Sequence, residues 1–200
     1  MALRHRNAIL FLAMLLSLCF VSACSQSDPR WDKIHNLNYV PGSSDKNQTL
    51  DLYLPKTAEG NHPQLVPLII WVHGGSWRGG DKNGPPWLDR FISNGYAVAS
   101  LSYRLVTNDV NNPGRFPAQI NDVKAAVRYL RSQSKHYHLD PDHFGAFGSS
   151  AGGHLVALLG ASNGNSELEG SLGNGKESSE VQAVCDACGP ANFFSLNQQF

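Results

Sequence analysis

Between Pro67 and Gly189 the chain keeps changing its hydrophobic period, and this alternation limits the folds open to it more than any other feature. "PLIIWVH" (Pro67 to His73) is an unbroken apolar run, as a strand buried on both faces is. "PPWLDRFISNG" (Pro85 to Gly95) opens on prolines and closes on glycine, the punctuation of a helix. "YAVASLSYR" (Tyr96 to Arg104) is a second buried strand. "FPAQINDVKAAVRYLRSQSKHY" (Phe116 to Tyr137) sets Ile120, Val123, Val127 and Leu130 at helical spacing, with Pro117 in the first turn. "HFGAFG" predicts a short strand, "AGGHLVALLGASN" a helix and "VQAVCDACG" a last strand. Upstream, "QTLDLYLP" (Gln48 to Pro55) alternates apolar and polar residues, as a half-buried strand does. "GNSELEGSLGNGKESSE" (Gly164 to Glu180) has no period and reads as a polar loop. Strands alternating with helices predict an α/β fold: a mostly parallel sheet, helices on both faces, right-handed crossovers.

Two hundred residues, 42% of them hydrophobic, are enough for one domain with a real core. Sixteen basic residues balance sixteen acidic ones, with no basic block, which argues against nucleic acid as a partner.

The N-terminus stands apart. Arg4 and Arg6 precede an apolar run from Ala8 to Val21. That run falls short of the roughly 20 residues of a membrane-spanning helix and has the layout of a secretory signal. Val21-Ser22-Ala23-Cys24 resembles the bacterial lipobox, which implies cleavage after residue 23 and lipidation of Cys24. The alternative is an ordinary signal peptide in which Cys24 is incidental. On the lipoprotein reading, residues 1–23 are the signal, 24–34 a polar tether and 35–200 the folded domain. More than one acyl chain would then fix the protein to a membrane, and Ser25 and Gln26 point to the outer one. Cys185 and Cys188 remain, as C-x-x-C. With no second cysteine pair a zinc site has little support; a local disulfide and two free thiols stay open. No metal or cofactor is expected.

Gly148-Ser149-Ser150-Ala151-Gly152 lies between a predicted strand and a predicted helix and matches G-x-S-x-G, the nucleophile elbow. Ser150 there needs a sharp turn so that its Oγ stands clear of the backbone. Gly148 and Gly152 would then occupy places where a Cβ collides with its neighbours. A second motif, His73-Gly74-Gly75-Ser76-Trp77, begins where a predicted strand leaves the sheet, about 75 residues earlier. Acyl transfer needs donors for the negative oxygen of a tetrahedral intermediate. Adjacent glycines let the backbone N–H groups of Gly74 and Gly75 reach it, and the N–H of Ala151 adds another.

With these motifs in order, the chain resembles an α/β-hydrolase of the HGG esterase/lipase group. It is closest to the branch that includes bifunctional feruloyl and acetyl-xylan esterases. "LDLYLP", "VHGGSWRGGDK", "GYAVASLSYRL", "FPAQINDVKAAVRYLR", "LDPDHFGAFGSSAGGHL" and "VQAVCDACGP" carry the likeness, over roughly residues 35 to 195. It implies a cofactor-free serine esterase acting on acyl groups of carbohydrates or small alcohols. Ser150 is then the nucleophile, Gly74, Gly75 and Ala151 form the oxyanion hole, and Trp77 and Tyr103 shape the pocket. "HGGSW" is also similar to the HGGxW of arylformamidases, and a catalytically inactive binding lipoprotein is a further alternative. The cysteines of "VQAVCDACGP" depart from the apolar or aromatic residues more usual there.

The fold supplies its triad in the order Ser, acid, His. After Ser150 the one histidine is His154, in the helix behind the elbow, where it is expected to pack or cap rather than act as base. Asp186 follows a strand, but the resemblance puts the acid later. The sequence therefore reads as the N-terminal portion of a hydrolase whose acid and base lie beyond residue 200, and as poorly active by itself. His73 is expected to brace the oxyanion loop, His136 and His138 to end a helix, His143 to lie at the surface, and Asp122 and Arg128 to be solvated charges.

Overall fold

The computed structural model describes residues 30–56, 65–109 and 111–196. The signal sequence and Cys24 lie outside the described residues. Within them, six strands make one mixed sheet: β1 (Trp31–Asn38), β2 (Thr49–Pro55), β3 (Val66–Val72), β4 (Ala97–Leu101), β5 (Leu139–Ser149) and β6 (Ala183–Ala187). Their order across the sheet is β1-β2-β4-β3-β5-β6. β3, β4, β5 and β6 run parallel, and β1 and β2 are antiparallel to their neighbours. The central place of β3 and β4 accounts for their unbroken apolar runs, since neither face meets water.

Six helices accompany the strands: α1 (Leu88–Ser93), α2 (Ala118–Ser132), α3 (Ser134–Tyr137), α4 (Ala151–Ala161), α5 (Ser166–Glu169) and α6 (Phe193–Leu196). The pleat sorts side chains between the two faces. Leu50, Leu52, Ala97, Ala99 and Leu101 pack with Ile120, Val123 and Val127 of α2 and Leu155 and Leu159 of α4. Their alternating neighbours Tyr53 and Val98 meet Ile92, Leu88 and Phe91 of α1. Each fully buried Leu or Ile contributes about 1.5–3 kcal/mol relative to exposure. Helices thus cover both faces, as the sequence pattern predicts.

Four details differ from the sequence reading. The sheet starts at Trp31, so residues 31–34 belong to β1 rather than to a tether; Ile34 pairs with Leu52 and packs on the core. The long helix divides at Gln133 into α2 and α3. The polar loop contains α5, whose cap is the Asn165 side chain accepting from the Glu167 and Leu168 amides. Asp122 and Arg128 are buried rather than solvated, at 0% and 1% exposure. Asp122 accepts from the Arg104 guanidinium at 2.8 Å and from Gln48 Nε2 at 2.9 Å. Arg128 pairs with Glu169, whose other carboxylate oxygen takes Lys124 at 2.9 Å and Ser179 at 2.9 Å. Buried charge is tolerated only when paired in this way, and here it ties the 162–180 segment to α2.

Candidate active site

β5 passes into α4 through one residue. Ser150 has φ 55° and ψ −121°, a left-handed conformation that costs a non-glycine residue on the order of 1–3 kcal/mol. Neighbouring backbone holds it there: its N–H donates to Ala187 O at 2.8 Å, and its carbonyl accepts from His154 N–H at 3.0 Å. Ser150 is exposed at the C-terminal edge of the parallel strands, while Ala151 behind it is buried. The two glycines are sterically required. A Cβ on Gly148 would overlap Gly152 O, and one on Gly152 would overlap the carbonyl oxygens of Val72 and His73. The small residues therefore let α4 and the end of β3 close around the turn and leave one hydroxyl outside.

The HGG loop reaches the same place from β3. A Cβ on Gly74 would stand 2.8 Å from Ser149 O and 3.2 Å from Ser150 Cβ, so the Gly74 backbone lies against the elbow. Gly75, at φ 110°, accepts from the Arg78 and Gly79 amides at 2.9 and 3.0 Å, which curls the loop back on itself. Ser76 and Trp77 follow at φ 52° and 59°, two consecutive left-handed residues. The loop is anchored from β4's side as well: Trp77 O accepts from Val106 N–H at 2.8 Å. His73 is buried, and its Nδ1 donates to Gly74 O at 2.7 Å. Its Nε2 has no partner. Burial pushes its pKa below the usual histidine value, against an opposing pull from the Gly74 hydrogen bond and Asp81, so the ring is held neutral.

Trp77 lines a cavity of about 290 Å³ between this loop and α4, together with Phe116, His154, Phe193 and, at the rim, Arg78. The His154 ring lies edge-on to Trp77 at 5.4 Å and to Phe193 at 5.1 Å. Its Nδ1 is buried without a partner, and burial pushes its pKa down while Asp186 pulls it up. His154 is thus an aromatic packing element, as its place in the helix suggested. Tyr103 is different from expectation. It is fully buried and offers no surface to a ligand: its ring stacks on His73 at 4.3 Å and 11°, and its hydroxyl donates to His73 O at 3.0 Å. A larger cavity, about 550 Å³, lies on the α1 face beside Trp87 and Phe147, and no HGG residue lines it.

Asp186 caps its own turn, accepting from Gly189 N–H at 2.7 Å. Cys185 and Cys188 are both free and exposed. Cys185 to Ala187 are extended in β6, and at about 3.3 Å rise per residue the two Cα atoms lie near 10 Å apart, too far for a disulfide. The local disulfide is therefore not formed in this fold.

A parallel-cored sheet whose strand ends carry a left-handed serine elbow, with an HGG loop against it, defines an α/β-hydrolase. The chain belongs to the BD-FAE family, whose model matches residues 50–200. It is similar to a solved structure described as a truncated carbohydrate esterase from gut microbiota, with 32% identity and a TM-score of 0.73, covering 84% of this chain and 60% of that one. A bifunctional GH43-CE protein of Bacteroides eggerthii gives 30% identity and a TM-score of 0.73, over 83% of this chain and 22% of that one. Esterase LipC of Mycobacterium tuberculosis is 31% identical over 153 residues, 76% of this chain and 36% of the relative. The chain thus spans about a third of that curated relative's length.

Proposed function

We propose that the protein is a serine esterase that hydrolyses carboxylic esters, with acyl groups on carbohydrates or small alcohols as its substrates. The observation that carries this reading is the approach of the Gly74 backbone to Ser150, which brings expected donors and expected nucleophile to one carbonyl's reach. Ser150 Oγ adds to the ester carbonyl as its proton passes to a general base. The carbonyl electrons move onto oxygen, where the Gly74, Gly75 and Ala151 amides receive the charge. Each such donor is worth about 3–4 kcal/mol in the transition state. The tetrahedral intermediate collapses, the alcohol leaves with a proton, and water releases the acid from acyl-Ser150. The 290 Å³ cavity beside Trp77 and Phe193 would take the acyl side. The likeness to a carbohydrate esterase supports sugar-borne esters.

The lipobox-like Val21-Ser22-Ala23-Cys24 supports an exported lipoprotein held at the outer membrane through Cys24. Mass and membrane fractionation of Cys24→Ala test this; unchanged values in the variant would remove the anchor from the account. For the esterase, the test is hydrolysis of 4-nitrophenyl acetate by the full-length protein. Activity that survives Ser150→Ala would contradict the reading.

A further inference from the structure

The proposed oxyanion hole needs two adjacent amides aimed outward, and glycine alone does not aim them. Gly74 and Gly75 are the residues least able to hold a peptide plane in one orientation. Neither amide donates to a carbonyl among the loop and turn hydrogen bonds of the described residues. What is fixed is the other end of each peptide. Tyr103 Oη donates to His73 O at 3.0 Å, and His73 Nδ1 donates to Gly74 O at 2.7 Å. A trans peptide is planar, with its C=O and N–H pointing opposite ways. Fixing His73 O sets the direction of Gly74 N–H, and fixing Gly74 O sets that of Gly75 N–H.

We propose that Tyr103 and His73 are positioning residues: two linked carbonyl clamps that aim the Gly74 and Gly75 amides toward Ser150. This rests on the esterase reading. Both clamps sit on the buried side of the loop, so the freed N–H groups face away from it, toward the side where Ser150 is exposed. The stack of His73 on Tyr103, 4.3 Å apart and 11° from parallel, keeps the imidazole in the plane that delivers Nδ1–H to Gly74 O. Gly80 completes the arrangement: a Cβ there would overlap both His73 Nδ1 and Gly74 O. The orphaned Nε2 of His73 agrees with a neutral ring whose one proton is on Nδ1.

The test compares wild-type full-length protein with Tyr103→Phe, which keeps the ring and deletes the donor. The expected result is a fall in kcat of about ten- to a hundredfold with KM for 4-nitrophenyl acetate nearly unchanged. Affinity for a trifluoromethyl ketone, which becomes a tetrahedral oxyanion on Ser150, should fall by the same factor. A merely structural residue would lower the folded fraction without weakening the ketone relative to substrate. His73→Phe should repeat the loss, and His73→Asn, which offers an amide N–H near the old Nδ1, should recover much of it. This pair keeps the test decisive if Tyr103→Phe does not fold. Folded Tyr103→Phe or His73→Phe protein that binds the ketone as wild type does would overturn the inference. Wild-type hydrolysis unaffected by Ser150→Ala would instead overturn the esterase reading, and the inference with it.

Discussion

A Cβ placed on Gly74 would lie 3.2 Å from the Cβ of Ser150, although 75 residues separate the two glycine-rich motifs. The contact is between backbones, so a methyl group cannot turn aside. Gly74→Ala should displace the loop from the elbow. A shift of about 1 Å costs on the order of a hundredfold in rate, and we expect kcat/KM for 4-nitrophenyl acetate to fall by that order. Wild-type rates in a folded Gly74→Ala protein would mean that the loop does not serve the reaction.

Gly152 tests the packing of the elbow. Its missing Cβ faces the carbonyl oxygens of Val72 and His73, neither of which can rotate away. Overpacking costs roughly 1–3 kcal/mol, and with two backbone atoms in the way Gly152→Ala should reach at least the upper end. Gly175, with nothing within 4 Å of its Cβ position, is the control, and Gly175→Ala should change stability by no more than about 0.5 kcal/mol. Urea midpoints measure both; equal values would refute the steric account.

Acid should weaken the fold in a window set by two histidines. Burial holds His73 and His154 below the usual histidine pKa. In the unfolded chain they titrate near about 6.5. Below that pH the unfolded chain takes up protons that the folded one refuses, so stability falls with pH until the folded pKa values are reached. Asp51 and Glu169 are held below their ordinary values, Asp51 by the Asn36 amide and Lys33, Glu169 by Lys124 and Ser179, in each case against desolvation. Their contribution is present above the unfolded carboxylate range and disappears at lower pH, in a second, more acidic step. Urea unfolding free energies should drop between about pH 7 and pH 5, and drop less in His154→Phe. A flat profile across that interval would contradict buried neutral imidazoles.

Glu169 is the hinge of the segment between α4 and β6. Glu169→Gln leaves the ammonium of Lys124 and the guanidinium of Arg128, 0% and 1% exposed, without a countercharge. Removing one partner of a fully buried pair costs about 3–5 kcal/mol. Glu169 is a third exposed, so solvent reduces this, and about 1–3 kcal/mol is expected. The 162–180 segment should also be cut faster by protease. An unchanged urea midpoint and unchanged cleavage would show that the segment is held by something else.

What could be read from the sequence follows from how local each cause is. The strands β3, β4 and β5 declare themselves because both their faces are dry. The elbow declares itself because the steric need for Gly148 and Gly152 is met within five residues. β1 was half missed, since an edge strand with one partner carries weak alternation, and Trp31 to Ile34 look like solvated chain until Leu52 and Leu54 are set beside them. Asp122 and Arg128 looked solvated because their partners are remote: Gln48 lies 74 residues away and Glu169 41. Tyr103 was assigned to the pocket on resemblance. Only the fold shows that its hydroxyl is taken by His73, 30 residues upstream.

The most direct test of the central claim is to trap the acyl-enzyme. Full-length protein is mixed with excess 4-nitrophenyl acetate, quenched in acid during the first turnover and digested, and the peptide containing Ser150 is weighed. The account predicts a peptide heavier by one acetyl group in place of one hydrogen, localised to Ser150 and missing from Ser150→Ala. An active protein whose acetyl group never resides on Ser150, or resides elsewhere with the same turnover in Ser150→Ala, would contradict it.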